Sequence, residues 1–420
     1  MKFKSLSISE WRQFKSVNIQ FHERLTILTG SNAAGKTTIL SNLLGRHGGW
    51  NIPLGSTPRK NRTTGKWGFY TRWNSWKNYL LIFDEKTKKE SSIGDLHYSN
   101  GEHTPLNVPD VVEGNNPQYH ISIPKQQPVS CLFVPSHRSI LSHRNIDSMP
   151  MHKKSMKDTY QEYLGSTKQR LLGSQPEPTS MMMKRTLMGW AMQGYKNAKV
   201  VGDEEQVDFF EGFEEVLKKV LPGSLNFQGL EIRSNEIVFS CNGDADDFIF
   251  EQASGGIGAI LDIVWQIYLY STKENGEFTA IVDEVENHLH PIMQRRILPD
   301  LINAFPHVTF IVSTHSPLVI SSVKDSNVFA LRYNDEGKII SQQIDLVNEA
   351  RTANEVLDEV LGVSFSMPIW AEEALERILT KYKKIENKDM LRQMRTELSE
   401  NGLEKIMPDA ITDIYNDKTA

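Results

Sequence analysis

The residues whose types and spacing could do chemistry begin at Gly30-Ser31-Asn32-Ala33-Ala34-Gly35-Lys36-Thr37-Thr38. The run fits G-x-x-x-x-G-K-[ST] at every fixed position. Gly30 and Gly35 let the backbone curl so that its N–H groups converge, and a helix starting near Lys36 adds its positive end. Phosphate oxygens are what such a concavity binds. Lys36 would reach the β- and γ-phosphates of a nucleoside triphosphate, and the Thr37 hydroxyl would hold Mg2+.

A second set of residues lies far along the chain. Ser254-Gly255-Gly256 precedes a helix expected from Ala259 to about Tyr270, which makes another anion-binding end. Phe278 to Val282 reads as a buried strand ending in Asp283-Glu284. Asp283 suits Mg2+, and Glu284 can polarise a water. Val285-Glu286-Asn287-His288-Leu289-His290-Pro291 follows. Val308 to Val312 is another buried strand, with His315 at its tip, where an imidazole can sense a γ-phosphate. His288, His290 and His315 could suggest a metal site, but loop and strand-tip roles account for them without one.

The elements that must position these residues follow from pattern. Strands are expected at Phe3 to Ile8, Val17 to Phe21 and Leu25 to Leu28, with Trp11-Arg12-Gln13-Phe14 in the first turn. The phosphate-loop helix should run to about Leu44. From Asn51 to Leu80, the cations Arg59, Lys60, Arg62, Lys66, Arg72 and Lys77 interleave with Trp67, Phe69, Tyr70, Trp73, Trp76 and Tyr79. Cations neutralise phosphates and aromatic faces stack on bases, so DNA could bind over Arg59–Lys77. An antiparallel lobe with inward aromatics and solvated cations explains the same pattern. That lobe is expected to continue through Tyr79 to Asp84 and His97 to Ile123. Val129 to Val134 is a strand, and Pro135-Ser136-His137-Arg138 would sit at a sheet's carboxyl edge. Arg138 is open to three readings: a phosphate, a partner subunit, or a plain surface turn.

Residues 145–200 are Met-rich and read as helices whose methionines fill a core. Val207, Phe210, Phe213, Leu217 and Val220 mark an amphipathic helix ended by Pro222-Gly223. Leu225 to Ile232 and Ile237 to Phe239 read as a hairpin, and Asp244-Ala245-Asp246 as a surface turn. No sustained heptads appear. Past residue 345 short helices are expected: Ala353 to Leu361, one opened by Pro368 with Trp370, Leu375, Ile378, Leu379 and Tyr382 on one side, and a third with Met390, Leu391, Met394 and Leu398. Their apolar faces would dock on the head or on a partner.

Composition narrows the classes. At 420 residues the chain exceeds one small core. A formal net charge of -5 argues against a generally basic nucleic-acid coat, leaving only a local patch. Cys131 and Cys241 stand far apart, which excludes a cysteine zinc site and argues against a disulfide framework; a cytoplasmic setting is expected. Asp262 and Gln266 interrupt the most apolar run, so no membrane partner is expected. The opening Met1-Lys2-Phe3-Lys4-Ser5 alternates into a strand and does not read as a signal peptide.

The joint order of these motifs resembles the ATP-binding-cassette (ABC) ATPase family. Asp283-Glu284 looks like the Walker B pair, and Ser254-Gly255-Gly256 like the signature loop, although Ala253 and Ile257 depart from the usual Leu and Gln. His315 looks like the switch histidine and Asn287 to Pro291 like the D-loop; a Q-loop glutamine is not placed. Trp11-Arg12-Gln13-Phe14 and Glu284 to Pro291 look like the branch that includes RecF, SMC heads and OLD-type (overcoming lysogenization defect) ATPases. The resemblance is close over about 1–45 and 250–335 and loose elsewhere. It implies an α/β ABC-ATPase head, a mixed sheet around the phosphate-loop helix plus an antiparallel β lobe, with an inserted helical lobe and a small C-terminal helical segment. The expected division is 1–140, 141–225, 226–345 and 346–420.

The implied activity is slow hydrolysis of ATP with Mg2+. ATP would be held by Gly30, Ser31, Asn32, Ala33, Ala34, Gly35, Lys36, Thr37 and Thr38 of one chain and Ser254, Gly255 and Gly256 of another. Mg2+ would lie between Thr37 and Asp283. Lys36, Glu284 and His315 would be the catalytic residues, with Glu284 as base and His315 on the γ-phosphate. ATP binding is then dimerisation or higher assembly.

No Toprim-type D-x-D beside a Gly-rich strand and no HNH pattern is seen. The layout therefore resembles stand-alone ATPases of bacterial antiphage systems, of the PtuA type in Septu and the AriA type in PARIS, which work with a separate nuclease or toxin effector. Two alternatives stand beside it: a RecF/SMC-like DNA-repair ATPase acting directly on DNA, and a transporter ATPase, which the inserted lobes and the His-Leu-His-Pro run oppose.

Overall fold

The computed structural model describes all residues except 61–66, 72–89, 113–116, 139–140, 147–151, 197, 200, 244–245, 273–275, 346–368, 383–387 and 404–420. Phe3, Leu6, Ile8 and Trp11 are buried along β1 (Phe3–Trp11), and Phe14, Val17 and Ile19 along β2 (Phe14–Gln20). Alternating burial of this kind marks a strand with one face on the core. Trp11 and Phe14 are register partners, stacked at 5.8 Å between ring centroids, and both are 0% exposed. This corrects the expectation that the turn holds all four residues. Only Arg12 and Gln13 turn the chain, and Arg12 adopts a left-handed φ of 51° to do so.

β3 (Leu25–Gly30) is buried at every residue. The phosphate loop follows, then α1 (Thr38–Leu44), which is wound as a π-helix and buried from Ile39 to Leu44. Six strands come next: β4 (Leu54–Gly55), β5 (Thr57–Lys60), β6 (Trp67–Tyr70), β7 (Glu90–Tyr98), β8 (His103–Pro109) and β9 (Val111–Val112). β10 (Gln118–Tyr119) and β11 (Cys131–Val134) complete this part. Three helices come next: α2 (Met156–Leu171), α3 (Thr179–Gly194) and α4 (Glu204–Val220). Met156, Met181, Met183 and Met188 are buried among them, as core filling requires. Lys184 on α3 has a fully buried side chain, satisfied by the carboxylates of Glu236 and Glu251.

β12 (Phe227–Arg233) and β13 (Glu236–Cys241) form the expected hairpin. Its two turn residues, Ser234 and Asn235, both have positive φ, the geometry a two-residue turn needs to match strand twist. β14 (Phe248–Ile249) joins them, and α5 (Gly255–Tyr270) follows. This helix starts four residues before the expected Ala259, because Ser254 caps it and its glycines form the first turn. The rest of the head is β15 (Phe278–Val282), α6 (Pro291–Gln294), α7 (Ile297–Ala304), β16 (Val308–Ser313), α8 (Pro317–Ile320), β17 (Asn327–Tyr333) and β18 (Ile339–Ile344).

Ten strands make one sheet, ordered β11-β15-β16-β3-β17-β18-β2-β1-β7-β8. β11, β15, β16, β3 and β17 run parallel, buried on both faces as parallel sheets are. The remaining five bring antiparallel pairings, except that β18 and β2 run parallel. The expected β lobe is therefore largely the antiparallel half of the main sheet: β7 and β8 extend β1 instead of forming a body of their own. What stands apart is a small β5-β6-β9 sheet, on which Trp67 is 71% exposed. Arg62, Lys66, Arg72, Trp73, Trp76, Lys77 and Tyr79 lie outside the described residues, as do Ala353 to Leu361, Pro368 and Asp244-Ala245. Among the described residues no helix is long and apolar enough to cross a membrane.

The chain divides into two compact units, Met1–Val356 and Leu357–Ala420. In the second, α9 (Ile369–Lys381) and α10 (Lys388–Glu400) enclose a small core of Ala371, Ala374, Leu375, Ile378, Tyr382, Met394, Leu398 and Leu403. Trp370 is not on that side. It is 60% exposed, because the buried stripe runs through Ala371 and Ala374, one helical step away.

Candidate functional site

The parallel strands aim their carboxyl ends at one place. β3 delivers the phosphate loop, β15 delivers Asp283-Glu284, and β16, paired to both, delivers Ser313 to His315. At Gly30 (φ 137°) a Cβ would lie 2.3 Å from the Leu331 carbonyl oxygen. At Gly35 (φ 92°) it would meet Phe14 Cζ at 2.3 Å and Gln13 Nε2 at 2.7 Å. Both glycines are thus required by backbone conformation and by close approach.

Lys36 turns back into the loop. Its Nζ donates to the carbonyls of Gly30 (2.9 Å) and Ser31 (3.2 Å). Burial lowers its pKa, while Asp283, Glu284 and Glu286 act in the opposite sense. Thr37 Oγ1 donates to Asp283 Oδ2 at 2.8 Å. The other Asp283 oxygen accepts from Ser313 Oγ, and the same hydroxyl accepts the Glu284 N–H at 2.7 Å. Burial raises the Asp283 carboxyl, and these two hydroxyl bonds oppose the rise. A hydroxyl and a carboxylate at this spacing, with no sulfur donor between them, are the hard oxygen ligands that Mg2+ takes, so the residues fit the ion.

Glu284 sits at the strand tip with a left-handed φ of 46°. Its Oε2 accepts from Asn287 Nδ2 at 2.7 Å, and its Oε1 lies 3.9 Å from His315 Nε2. Burial lowers the His315 pKa and the Lys36 charge lowers it further, which favours a neutral imidazole near neutral pH. The His315 N–H donates to Glu286 Oε1. Glu286 is a carboxyl whose pKa is raised by burial.

Ser254 is wired differently. Among the described residues its Oγ accepts the Ile257 N–H alone, at 3.4 Å. Nothing lies within 4 Å of a Cβ built on Gly255, and one on Gly256 would face the His288 carbonyl at 3.1 Å and Met293 Sδ at 3.3 Å. So the structure brings the phosphate loop, Asp283, Glu284 and His315 together, and sets Gly256 of the Ser254–Gly256 run against the 288–293 turn instead. His290 caps α6 there, its Nδ1 accepting the Ile292 N–H at 3.4 Å. Among the described residues no cluster of His, Cys, Asp and Glu is arranged as a metal cage.

Arg138 is neither on a surface turn nor turned outward to a partner. It is 8% exposed, and its Nη2 donates to the carbonyls of Asp283 (2.9 Å) and Glu284 (3.3 Å). A strand-tip arginine buries itself when two carbonyls converge on it, and here β11 lies beside β15 in register. Sequence reasoning missed Ser313, Glu286 and Gln13. The signal for Ser313 was present: a polar residue at the end of an otherwise apolar strand.

The sheet order and the convergence of its loops are those of an α/β ATPase head. Two family models match, one described as "AAA domain, putative AbiEii toxin, Type IV TA system" over residues 184–321 and one described as "AAA domain" over residues 5–93. Among curated proteins the chain is similar to a retron Vc95 probable ATPase of Vibrio cholerae serotype O1 biovar El Tor. Those two are 44% identical over 54 residues, 13% of this chain and 10% of that one. It is also similar to the Septu protein PtuA of Bacillus thuringiensis, 23% identical over 171 residues, 37% of this chain and 43% of PtuA. The matched regions span less than half the length of these relatives. An SMC head domain from Thermotoga maritima is matched at 16% identity over 82% of this chain and 99% of that one, with a TM-score of 0.36.

Proposed function

We propose that this chain hydrolyses ATP in a composite site formed by two copies, and that its nucleotide state regulates a separate nuclease or toxin effector in antiphage defence. The observation that carries the reading is the Thr37–Asp283 hydrogen bond, which places the phosphate loop beside the strand tip that presents Glu284. The Gly30–Thr38 amides and Lys36 bind and orient the phosphates. Thr37 and Asp283 would hold Mg2+, which when bound would supply charge neutralisation for the phosphates. Ser313 fixes Asp283 through its hydroxyl and Glu284 through its backbone, so the two acids move as one body. Glu284, turned by Asn287, takes the proton from the attacking water at a carboxylate oxygen. His315 in its neutral form donates Nε2–H to a γ-phosphate oxygen. Ser254 to Gly256, unengaged with their own phosphate loop, supply N–H donors to the nucleotide of the second copy.

The similarity to a Septu protein and to a retron ATPase supports the defence reading. Light scattering of Glu284→Gln with and without ATP tests the assembly: mass should double with ATP while hydrolysis falls about 100-fold or more. A mass that ignores ATP would sink the composite site. Affinity purification of the same variant from its host with ATP present tests the regulation. A stoichiometric nuclease or toxin is expected, and an eluate of ATPase with DNA alone would replace this reading with direct action on DNA.

A further inference from the structure

In a composite site, the signature loop of one chain and Glu284 of that same chain serve different nucleotides. Something inside the chain has to tie them together if the two sites fire in concert. Arg138 lies on the segment after β11, which pairs with β15, and Leu141 further along that segment lies 3.3 Å from a Cβ built on Gly258 of α5. Arg138 Nη2 holds the carbonyls of both Asp283 and Glu284, whereas Nε and Nη1 have no hydrogen-bond partner among the described residues. A buried guanidinium with unused donors is an arrangement with an alternative close by. Among the acids whose charge acts on it is Asp262, on the helix that Ser254 to Gly256 begin. Asp262 is buried and electrostatically coupled to Arg138. Its oxygens accept from Tyr163 Oη on α2 and from Gln266 Nε2 (3.0 Å), not from Arg138.

We propose that Arg138 is a positioning residue that relays engagement of the signature loop to the backbone carrying Glu284, and so couples the two nucleotide sites of a dimer. The inference rests on the composite-site reading above. When a second copy's nucleotide binds at Ser254 to Gly256, a small shift of α5 changes the pull of Asp262 on the guanidinium. The guanidinium in turn sets the carbonyls of residues 283 and 284, and with them the aim of the carboxylate. Bistable buried contacts amplify small displacements in this way. Asn287 supports the same wiring, because its Nδ2 bonds both Glu284 Oε2 and the Ser136 carbonyl (3.2 Å) on the Arg138 segment.

The test uses the full chain and measures hydrolysis against ATP concentration for wild type, Arg138→Met, Arg138→Lys and Asp262→Asn, with nucleotide affinity and melting followed in parallel. Arg138→Met should lower kcat about tenfold and bring the Hill coefficient to one, with ATP affinity within about twofold of wild type. Arg138→Lys should recover part of kcat, since an ammonium can hold one carbonyl. Asp262→Asn leaves the carbonyl contacts in place and should lose cooperativity with a smaller loss of kcat. A folded Arg138→Met with unchanged kcat and Hill coefficient overturns the relay. Should Arg138→Met fail to fold, an unchanged Hill coefficient in Asp262→Asn overturns it equally. A wild-type chain that shows no ATP-dependent assembly fails earlier and identifies the composite-site reading itself as wrong.

Discussion

The phosphate loop and the signature loop are both Gly-rich turns at a helix start, yet they are finished to different degrees. At the first, Lys36, Thr37, Asp283 and Ser313 are closed into hydrogen bonds with one another or with the loop's own carbonyls. At the second, among the described residues, Ser254 bonds only its own helix and Gly255 faces open space. One loop is complete within its chain. The other opens α5 and meets the 288–293 turn at Gly256. On the composite-site proposal, the difference teaches how a single sequence would encode a dimeric enzyme: half of each site finished at home, and half left for the neighbour.

The largest effects should come from breaking one side at a time. Lys36→Ala should abolish nucleotide binding, and Gly256→Asp should abolish hydrolysis while leaving a single chain able to bind ATP. Mixing the two variants should restore hydrolysis, because a heterodimer contains one intact composite site. A mixture as inactive as its components would erase the distinction between the loops. Next in size is Ser313→Ala, which leaves Asp283 and the Glu284 N–H without their shared hydroxyl. Steady-state kinetics should show kcat down about tenfold and denaturation a loss of about 1–2 kcal/mol. Ser254→Ala should cost about 1 kcal/mol in helix capping and weaken ATP-driven dimerisation without touching ATP affinity in the monomer, which equilibrium sedimentation can separate. The smallest effect belongs to Trp67→Ala: an exposed ring far in sequence from either loop should leave hydrolysis unchanged, and a loss of DNA-stimulated turnover there would reopen the DNA reading.

The phosphate loop and the Asp283-Glu284 tip were legible because their spacing is set by backbone geometry that few sequences satisfy by chance. Arg138 was not legible, since its burial depends on two carbonyls more than a hundred residues away. The hairpin tip misled for a related reason. Trp11 and Phe14 flank a turn without glycine, so nothing local separates the two strand ends from the two turn residues. On α9 a scan for large apolar residues favoured Trp370, whereas the buried stripe is carried by Ala371 and Ala374. The antiparallel strands were foreseen, but not their fusion into the main sheet, because register between β1 and β7 is a tertiary choice.

One feature of the sheet bears on how the molecule is made. β3 pairs only with β16 and β17, which lie at residues 308–333. A chain emerging from the ribosome therefore carries its phosphate-binding sequence long before it can carry a phosphate-binding site. Strand pairing this distant in sequence also folds slowly. On the composite-site proposal, nascent chains would neither sequester ATP nor pair with finished copies, and only completed heads would enter the assembling pool. With a nucleotide state that commits the protein to a partner, as proposed, the order of strands in the sheet doubles as a safeguard against premature arming.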